Sequence, residues 1–396
     1  MPHQQNSEVP QFFLLPELKL IKWDRDRAGG QHMWMQKTST MEVCFRCANP
    51  STVLYDHRWV KIHDQPIRGA QVWVHVLKRR FYCKSCRKPF TEPIPGIKKG
   101  KRTTERYRRG LLWACENYQD LSKVRTAFKC STWMVYQSLK EHLKLKLKEE
   151  INYPWPTTVG IDEHFFSRSK GFREFATVLV DYNNKRVREI VLGRSKVELQ
   201  RGLQEIPGRE NVKNVVLDMS DTYKSFTREF FPNAILIADK FHVLRLLNPS
   251  LNRRRKEITG DVRKNPVRKL LLRNGKNLEY FERNALHRWL QEHPDLNEVY
   301  HYKEALYGFY RIKGYNKARR ALTAMTDRMA LSQLPEIKTF RKTLMRWREE
   351  ILNYFKTGIT NARTEGFNNV AKLVQKRAYG VKSFEMYRLR YLSACA

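Results

Sequence analysis

Apolar and polar residues alternate with a period of two in the first part of the chain. Leu18-Lys19-Leu20-Ile21-Lys22-Trp23 and Met33-Trp34-Met35, separated by Ala28-Gly29-Gly30, read as a hairpin within residues 12–43. A further strand, Gln71-Val72-Trp73-Val74-His75-Val76, lies between two cysteine pairs. From Thr104 to Glu150 the period becomes helical. Tyr107, Leu111, Leu112 and Cys115 mark one helix, Leu121, Val124 and Phe128 a second, and Val135, Leu139 and Leu143 a third. Ser131 or Thr132 can cap the third, and the joint at Lys129-Cys130 has the length a helix-turn-helix needs.

Strand patterns return after Tyr153-Pro154-Trp155-Pro156. Thr158 to Asp162, Phe175 to Asp181 and Val187 to Leu192 are apolar runs with tight joints. A helical segment from Val197 to Ile206 follows, then a strand from Val212 to Asp218, a helix through Tyr223 and Phe226, and a strand from Ile235 to Ala238. Three neighbouring strands, a crossover helix and another strand describe a ribonuclease H-like layout. Residues 246–357 are helical, basic and aromatic, and a last helix begins near Asn361 and runs past Lys376.

The predicted fold is therefore multidomain α+β: a hairpin region (1–40), a zinc ribbon-like module (41–92), a basic linker (93–103), a helix-turn-helix domain (104–150), and a ribonuclease H-like α/β catalytic core in two parts (155–245 and 358–396) interrupted by an all-α segment (246–357).

Charge narrows the function. With 76 Lys and Arg against 40 Asp and Glu, the formal net charge is +36, which calls for a polyanionic partner, most simply double-stranded DNA. No apolar run approaches the roughly 18 residues that span a bilayer, and Met1-Pro2-His3-Gln4-Gln5 lacks a basic secretory start, so no membrane partner and a cytoplasmic, nucleoid-associated location are expected. Seven cysteines, four of them in two close pairs, do not form a disulfide framework.

Those pairs, Cys44-Phe45-Arg46-Cys47 and Cys83-Lys84-Ser85-Cys86, have the spacing that lets two thiolates close on one tetrahedral Zn²⁺ from each tight turn, giving a single structural ion. His57, His63 and His75 lie between the pairs and are read as strand or surface residues. For DNA contact the candidates are Lys98, Lys99, Lys101 and Arg102 of the linker, and Lys129, Ser131, Thr132, Gln137 and Lys140 of the helical module.

In so basic a chain, carboxylates at the ends of apolar strands need a reason, because an unpaired buried charge is costly. Asp162 in Gly160-Ile161-Asp162-Glu163, Asp218 in Leu217-Asp218-Met219-Ser220 and Glu365 in Thr364-Glu365-Gly366-Phe367-Asn368-Asn369 could together hold two Mg²⁺ (or Mn²⁺) ions for phosphoryl transfer. Glu163 would face the other side of the strand. On the last helix Glu365, Asn369, Lys372 and Lys376 fall on adjoining parts of one face, placing amide and ammonium groups for a DNA phosphate beside a carboxylate. Asp239 and His242, directly after a strand, are candidates for a second shell, a fourth acidic contact or simple packing.

The order of these pieces resembles the ISL-three family of bacterial insertion-sequence transposases, within the DDE class. The likeness is carried by the cysteine pairs with Arg79-Arg80-Phe81-Tyr82, by Gly160-Ile161-Asp162-Glu163, Leu217-Asp218-Met219-Ser220 with Tyr223, Asp239-Lys240-Phe241-His242-Val243, and the Glu365 cluster followed by Lys372 and Arg377-Ala378-Tyr379-Gly380. It implies that Asp162, Asp218 and Glu365 are the DDE metal ligands and that the helical stretch between Asp218 and Glu365 is an insertion domain. It also implies binding to terminal inverted repeats, hydrolysis at the element ends and attack of the freed 3′ hydroxyl on target DNA, by a homodimer or larger assembly. Asp221, beside Asp218, departs from the pattern and competes for the same role. Two other readings remain at this point: a non-catalytic DNA-binding regulator derived from a transposase, and a metal-dependent nuclease without strand transfer.

Overall fold

The computed structural model describes residues 15–117, 120–150, 152–169, 172–260, 266–377 and 383–396, which divide into two compact units. The first unit, the chain up to Leu145 together with a short segment from Gln375, opens with a five-stranded sheet: β1 (Leu18–Arg25), β2 (Gln31–Lys37), β5 (Leu54–Ile67), β6 (Ala70–Cys83) and β7 (Lys88–Thr91); β3 (Glu42–Val43) and β4 (Pro50–Ser51) form a separate small ladder. The strand order is β1-β2-β6-β5, with β7 on the end of β6. β1 and β2 form the expected hairpin, and residues 12–14 of that reading lie outside the described residues. Alternation explains the packing. Met33, Met35, Val72, Val74, Val76 and Ile62 point to one face and are buried with Leu15, Leu18 and Ile94.

The opposite face carries rings in register across the strands. Trp34 stacks on His75 at 4.5 Å, and His63 stacks on Trp73 at 4.1 Å. The basic linker is pinned to the sheet at its far end: the His63 backbone N–H donates to the Arg102 carbonyl at 2.9 Å and Thr104 donates back to the His63 carbonyl at 3.0 Å. Three helices follow, α1 (Glu105–Asn117), α2 (Leu121–Phe128) and α3 (Thr132–Glu150). Tyr107 is fully buried among them and its hydroxyl donates to the Phe128 carbonyl at 3.2 Å. Lys129 closes α2 in the left-handed region (φ 43°), and the Ser131 hydroxyl caps α3 by accepting the Met134 N–H at 3.2 Å.

The second unit is organised by a five-stranded mixed sheet, β8 (Thr158–Ser169), β9 (Phe172–Asp181), β10 (Arg186–Leu192), β11 (Asn214–Leu217) and β12 (Ile235–Ala238), in the order β10-β9-β8-β11-β12. β8, β9 and β10 are antiparallel neighbours, while β11 runs parallel to both β8 and β12. The connections carry α4 (Lys196–Leu203), closed by a Ser195/Glu198 capping box, α5 (Asp221–Phe230), capped by Ser220, and α6 (Lys240–Leu244), capped by Asp239. α4 and α5 share one core with Val159, Ile161, Leu179, Val215 and Leu217.

Seven helices, α7 (Asn248–Thr259), α8 (Pro266–Leu272), α9 (Tyr280–Gln291), α10 (Pro294–Phe309), α11 (Tyr315–Ala330), α12 (Pro335–Arg346) and α13 (Arg348–Thr357), follow. Much of their basic and aromatic content packs internally. Arg254 pairs with Glu336 and Asp295, and Arg255 is 1% exposed and bonds the end of its own helix. The chain closes with α14 (Ala362–Arg377) and α15 (Phe384–Ala394). The second of these was not expected as a separate helix.

Candidate functional site

Two sites emerge, and each belongs to one unit. In the first, β6 runs out of the sheet and delivers Cys83 at its end, while the β3–β4 turn carries Cys44 and Cys47. In both knuckles the fourth residue after the first cysteine, Ala48 (φ 56°) and Arg87 (φ 50°), takes the left-handed conformation that turns the chain back. The sulfurs of Cys44, Cys47, Cys83 and Cys86 all lie within 4.8 Å of one another, over a small core of Phe81 and Phe90. Backbone N–H donors, from Arg46 first, pull the Cys44 thiol down to about 7, while the neighbouring sulfurs push Cys86 up to about 12. Four sulfurs so close cannot all ionise without a cation, and this donor set fits tetrahedral Zn²⁺. His63 and His75 are taken up by the ring stacks and His57 is exposed, so none joins the cluster.

The second site grows from strand register. Ile161 of β8 lies opposite Leu217 of β11, and Leu217 lies opposite Ala238 of β12. The next residue along the chain is in each case an aspartate, so Asp162, within β8, lies in a row with Asp218 and Asp239, which directly follow β11 and β12; β8 itself runs on to Ser169, past the strand end expected at Asp162. Alternation along β8 sends Val159 and Ile161 into the core with α4 and α5, and Gly160 and Asp162 to the face of α14. Glu163 takes the α5 side, where it accepts from the Tyr223 hydroxyl at 3.2 Å and pairs with Arg194 at 3.4 Å.

The three aspartates have different surroundings. Asp239 is 2% exposed and fully engaged: one oxygen accepts the Asn361 N–H at 3.1 Å, the other the His242 N–H at 3.3 Å and the imidazole Nδ1 at 2.9 Å. It is thus a cap and a clamp on the start of α14, and it holds the His242 ring. Asp162 accepts the Glu163 N–H on one oxygen at 2.8 Å and the Asn368 Nδ2 on the other at 2.9 Å. On Asp218, Oδ1 is buried without a hydrogen-bond partner. Burial raises both carboxyls above the ordinary range, Asp218 to about 6, each with a neighbouring carboxylate adding to the rise and His242 opposing it. In turn, Asp239 first, then Asp218 and Asp162, hold His242 above the usual histidine range. An oxygen-rich pair short of positive charge, with one buried lone pair unclaimed, fits a hard divalent cation.

Glu365 sits in the first turn of α14 with its side chain exposed. The helix is seated on β8 beneath it. Tyr182 donates to the Thr360 carbonyl at 2.9 Å, with Asn361 Oδ1 at 3.1 Å and the buried Thr364 hydroxyl at 3.3 Å from its own. The α14 residue that reaches the aspartates is Asn368, one turn beyond Glu365. Among the described residues only the cysteines gather three or more such ligands within 4.8 Å, so the three carboxylates are not drawn to one point at that spacing. Asp221 is half-exposed and paired with Arg346, which takes it out of competition with Asp218.

The profile of an ISL-three-type DDE transposase domain matches residues 159–391, and that of the zinc-finger of transposase IS204/IS1001/IS1096/IS1165 matches residues 41–86. This chain belongs to the ISL-three family of transposases. It is also 25% identical over 386 residues, 94% of each chain, to the transposase for insertion sequence element IS1001 of Bordetella parapertussis. The four-cysteine cluster of this transposase is therefore the structural zinc site of its ribbon.

The other residues singled out from the transposase sequence are spread over both units. Lys98, Lys99, Lys101 and Arg102 are exposed on the pinned segment, and Lys129, Ser131 and Thr132 are exposed around the start of α3, while Gln137 and Lys140 are half-buried on it. Asn369, Lys372 and Lys376 are exposed along α14, with Lys372 Nζ 3.5 Å from Asn369 Oδ1. Sequence reasoning passed over Asn368, Gly160 and Tyr182. The signal for Asn368 was its place three residues after Glu365; for Gly160 it was a glycine inside an apolar strand, which marks a close approach of another element. No helix among the described residues is long and apolar enough to cross a membrane.

Proposed function

We propose that this insertion-sequence transposase binds the terminal inverted repeats of its element and cuts and rejoins DNA at the α14 face of the mixed sheet. In this reading the β10-β9-β8-β11-β12 sheet is a ribonuclease H-like core, α7–α13 are its all-α insertion, and α2 and α3 form a helix-turn-helix whose exposed amino end, with Lys129 and Thr132, meets DNA. The zinc ribbon and the basic segment at Lys98–Arg102 add phosphate contacts, which a net charge of +36 favours.

The reading rests above all on Asp162 and Asp218, which follow the paired residues Ile161 and Leu217 of two adjacent parallel strands, both raised by burial and with an oxygen of Asp218 left unpaired. Asp162 and Asp218 would hold Mg²⁺ or Mn²⁺, and Glu365, exposed on the same helix that supplies Asn368, would complete the DDE set when DNA is bound. Two such ions would lower the barrier by activating the attacking hydroxyl and neutralising charge on the phosphate. The protein's own part is to keep three oxygen groups on rigid elements, with Asp239 and His242 bracing the turn after β12, and to lay Asn369, Lys372 and Lys376 along the DNA backbone. Two DNA ends must be held together, so a homodimer or larger assembly is the working form.

Incubating the zinc-loaded protein with end-containing DNA, Mg²⁺ and a target plasmid tests this. Joined product is expected; cleavage without joining would leave a nuclease, and neither would leave a DNA-binding regulator. Asp162→Ala and Glu365→Ala should each abolish cleavage while end binding persists. Undiminished cleavage by either removes that residue from the site.

A further inference from the structure

The α14 helix brings a second group to the aspartates besides Glu365. Asn368 is 8% exposed, and its side chain is divided in purpose: Nδ2 donates to Asp162 Oδ2 at 2.9 Å, while its own Oδ1 is buried with no hydrogen-bond partner. A buried carboxamide oxygen left unpaired costs stability, so an apolar residue of similar volume would pack there at less expense. The donor half alone does not explain the residue. The carboxylate oxygen Asp218 Oδ1 is likewise buried and without a partner. Two unclaimed buried oxygens, one of a carboxamide and one of a carboxylate, beside the second carboxylate of Asp162, ask for a cation rather than for another donor.

We propose that Asn368 is a positioning residue for the metal-holding carboxylates: its amide fixes the rotamer of Asp162, and its carboxamide oxygen supplies a neutral oxygen to the divalent ion or to a water bound to it. This rests on the reading of Asp162 and Asp218 as metal-holding groups. The seat of α14 makes it feasible, because Asn361, Thr364 and Tyr182 lock the first turn of the helix against Gly160, so Asn368 one turn later reaches Asp162 without a flexible segment between them. Glu365, on the exposed side of the same turn, is then free to be recruited by DNA, while Asn368 serves the site before DNA arrives.

The experiment is Mn²⁺ binding by the zinc-loaded full chain without DNA, read from the paramagnetic resonance signal of free Mn²⁺. Wild type is compared with Asn368→Leu, Asn368→Asp and Asp218→Asn. Loss of a group that orients or supplements metal ligands weakens metal affinity by roughly 10- to 100-fold. Asn368→Leu should show that loss with its thermal midpoint maintained, and Asn368→Asp, which restores an oxygen but not the amide donor to Asp162, should recover binding in part. Asn368→Ser, polar but too short to reach, should behave as the leucine variant and serves in its place if that variant does not fold. Binding by Asn368→Leu within twofold of wild type, while Asp218→Asn loses it, overturns the role of Asn368 and leaves the carboxylate site standing. Unchanged binding in Asp218→Asn as well would overturn both.

Discussion

Substituting Gly160 by alanine perturbs the seat of α14 without touching any carboxylate. A Cβ at Gly160 would lie 2.5 Å from Cε2 of Tyr182, 2.6 Å from Oγ1 of Thr364 and 3.1 Å from Oδ1 of Asn361. Carbon atoms in contact prefer about 3.5–4.0 Å, so the Tyr182 ring must retreat by about 1 Å. It cannot do so alone, because its hydroxyl is bonded to the Thr360 carbonyl and lies against Asn361 and Thr364, the residues that begin α14. Thr364 is 0% exposed and has no free space to enter. The strain should cost about 1–3 kcal/mol of stability, in the range of overpacked cores. If α14 moves as a unit, Glu365 and Asn368 shift by a comparable distance, and a misplacement of about 1 Å can cost on the order of 100-fold in rate. The assay is single-turnover cleavage of end-containing DNA at saturating Mg²⁺, beside thermal unfolding and end binding. Expected are a lower midpoint, near-normal end binding and a cleavage rate down by about 30- to 100-fold. A Gly160→Ala protein that unfolds earlier yet cleaves within twofold of wild type would refute the reasoning, since it would separate the seating of α14 from the chemistry.

Gly366 makes the opposite case. It lies inside α14 with no heavy atom within 4 Å of a built Cβ, so Gly366→Ala should stabilise the DNA-free protein by about 0.5–1 kcal/mol, seen as a higher unfolding midpoint. For Asp218, a carboxyl raised from 3.8 to about 6 binds its proton more tightly folded than unfolded, so its contribution to stability is fully present below pH 3.8 and lost as pH rises through about 6. Asp218→Asn should therefore raise the stability of the Mg²⁺-free protein at pH 7.5 by roughly 2–3 kcal/mol, a gain that shrinks toward zero at pH 4 in chemical denaturation; no gain at pH 7.5 would place that carboxyl in a wetter setting. Cys83→Ser should reduce bound zinc, measured by metal analysis, and weaken specific end binding; intact end recognition after zinc loss would give the ribbon another task. Affinity for end DNA should fall steeply between about 50 and 200 mM salt, and a flat response would count against phosphate contacts as its source.

The local parts of this protein were legible because they obey short-range rules. The alternation that placed β6 and the core strands reflects the pleat, the paired C-x-x-C spacing reflects what a tight turn can offer one ion, and Ser131 caps α3 as its side chain dictates. The composition of the basic linker says nothing of its backbone, which at Arg102 and Thr104 is bonded to His63 of β5. The partners of Arg254 in α7 could not be read from sequence for a like reason: its ion pairs to Glu336 and Asp295 join residues far apart in the chain.

By itself the sequence determined the knuckles and most of the strands and helices, though not β5 or α15, and that acids follow apolar strand segments in a chain of strong positive charge. Only the tertiary structure decided which acids share a site. The parallel register of β8, β11 and β12 aligned Asp162 with Asp218 and Asp239, an ion pair drew Asp221 toward Arg346, and the seating of α14 turned Asn368 rather than Glu365 toward the aspartates. Register and helix rotation are set by how whole faces pack, and a one-residue change in either sends every side chain elsewhere.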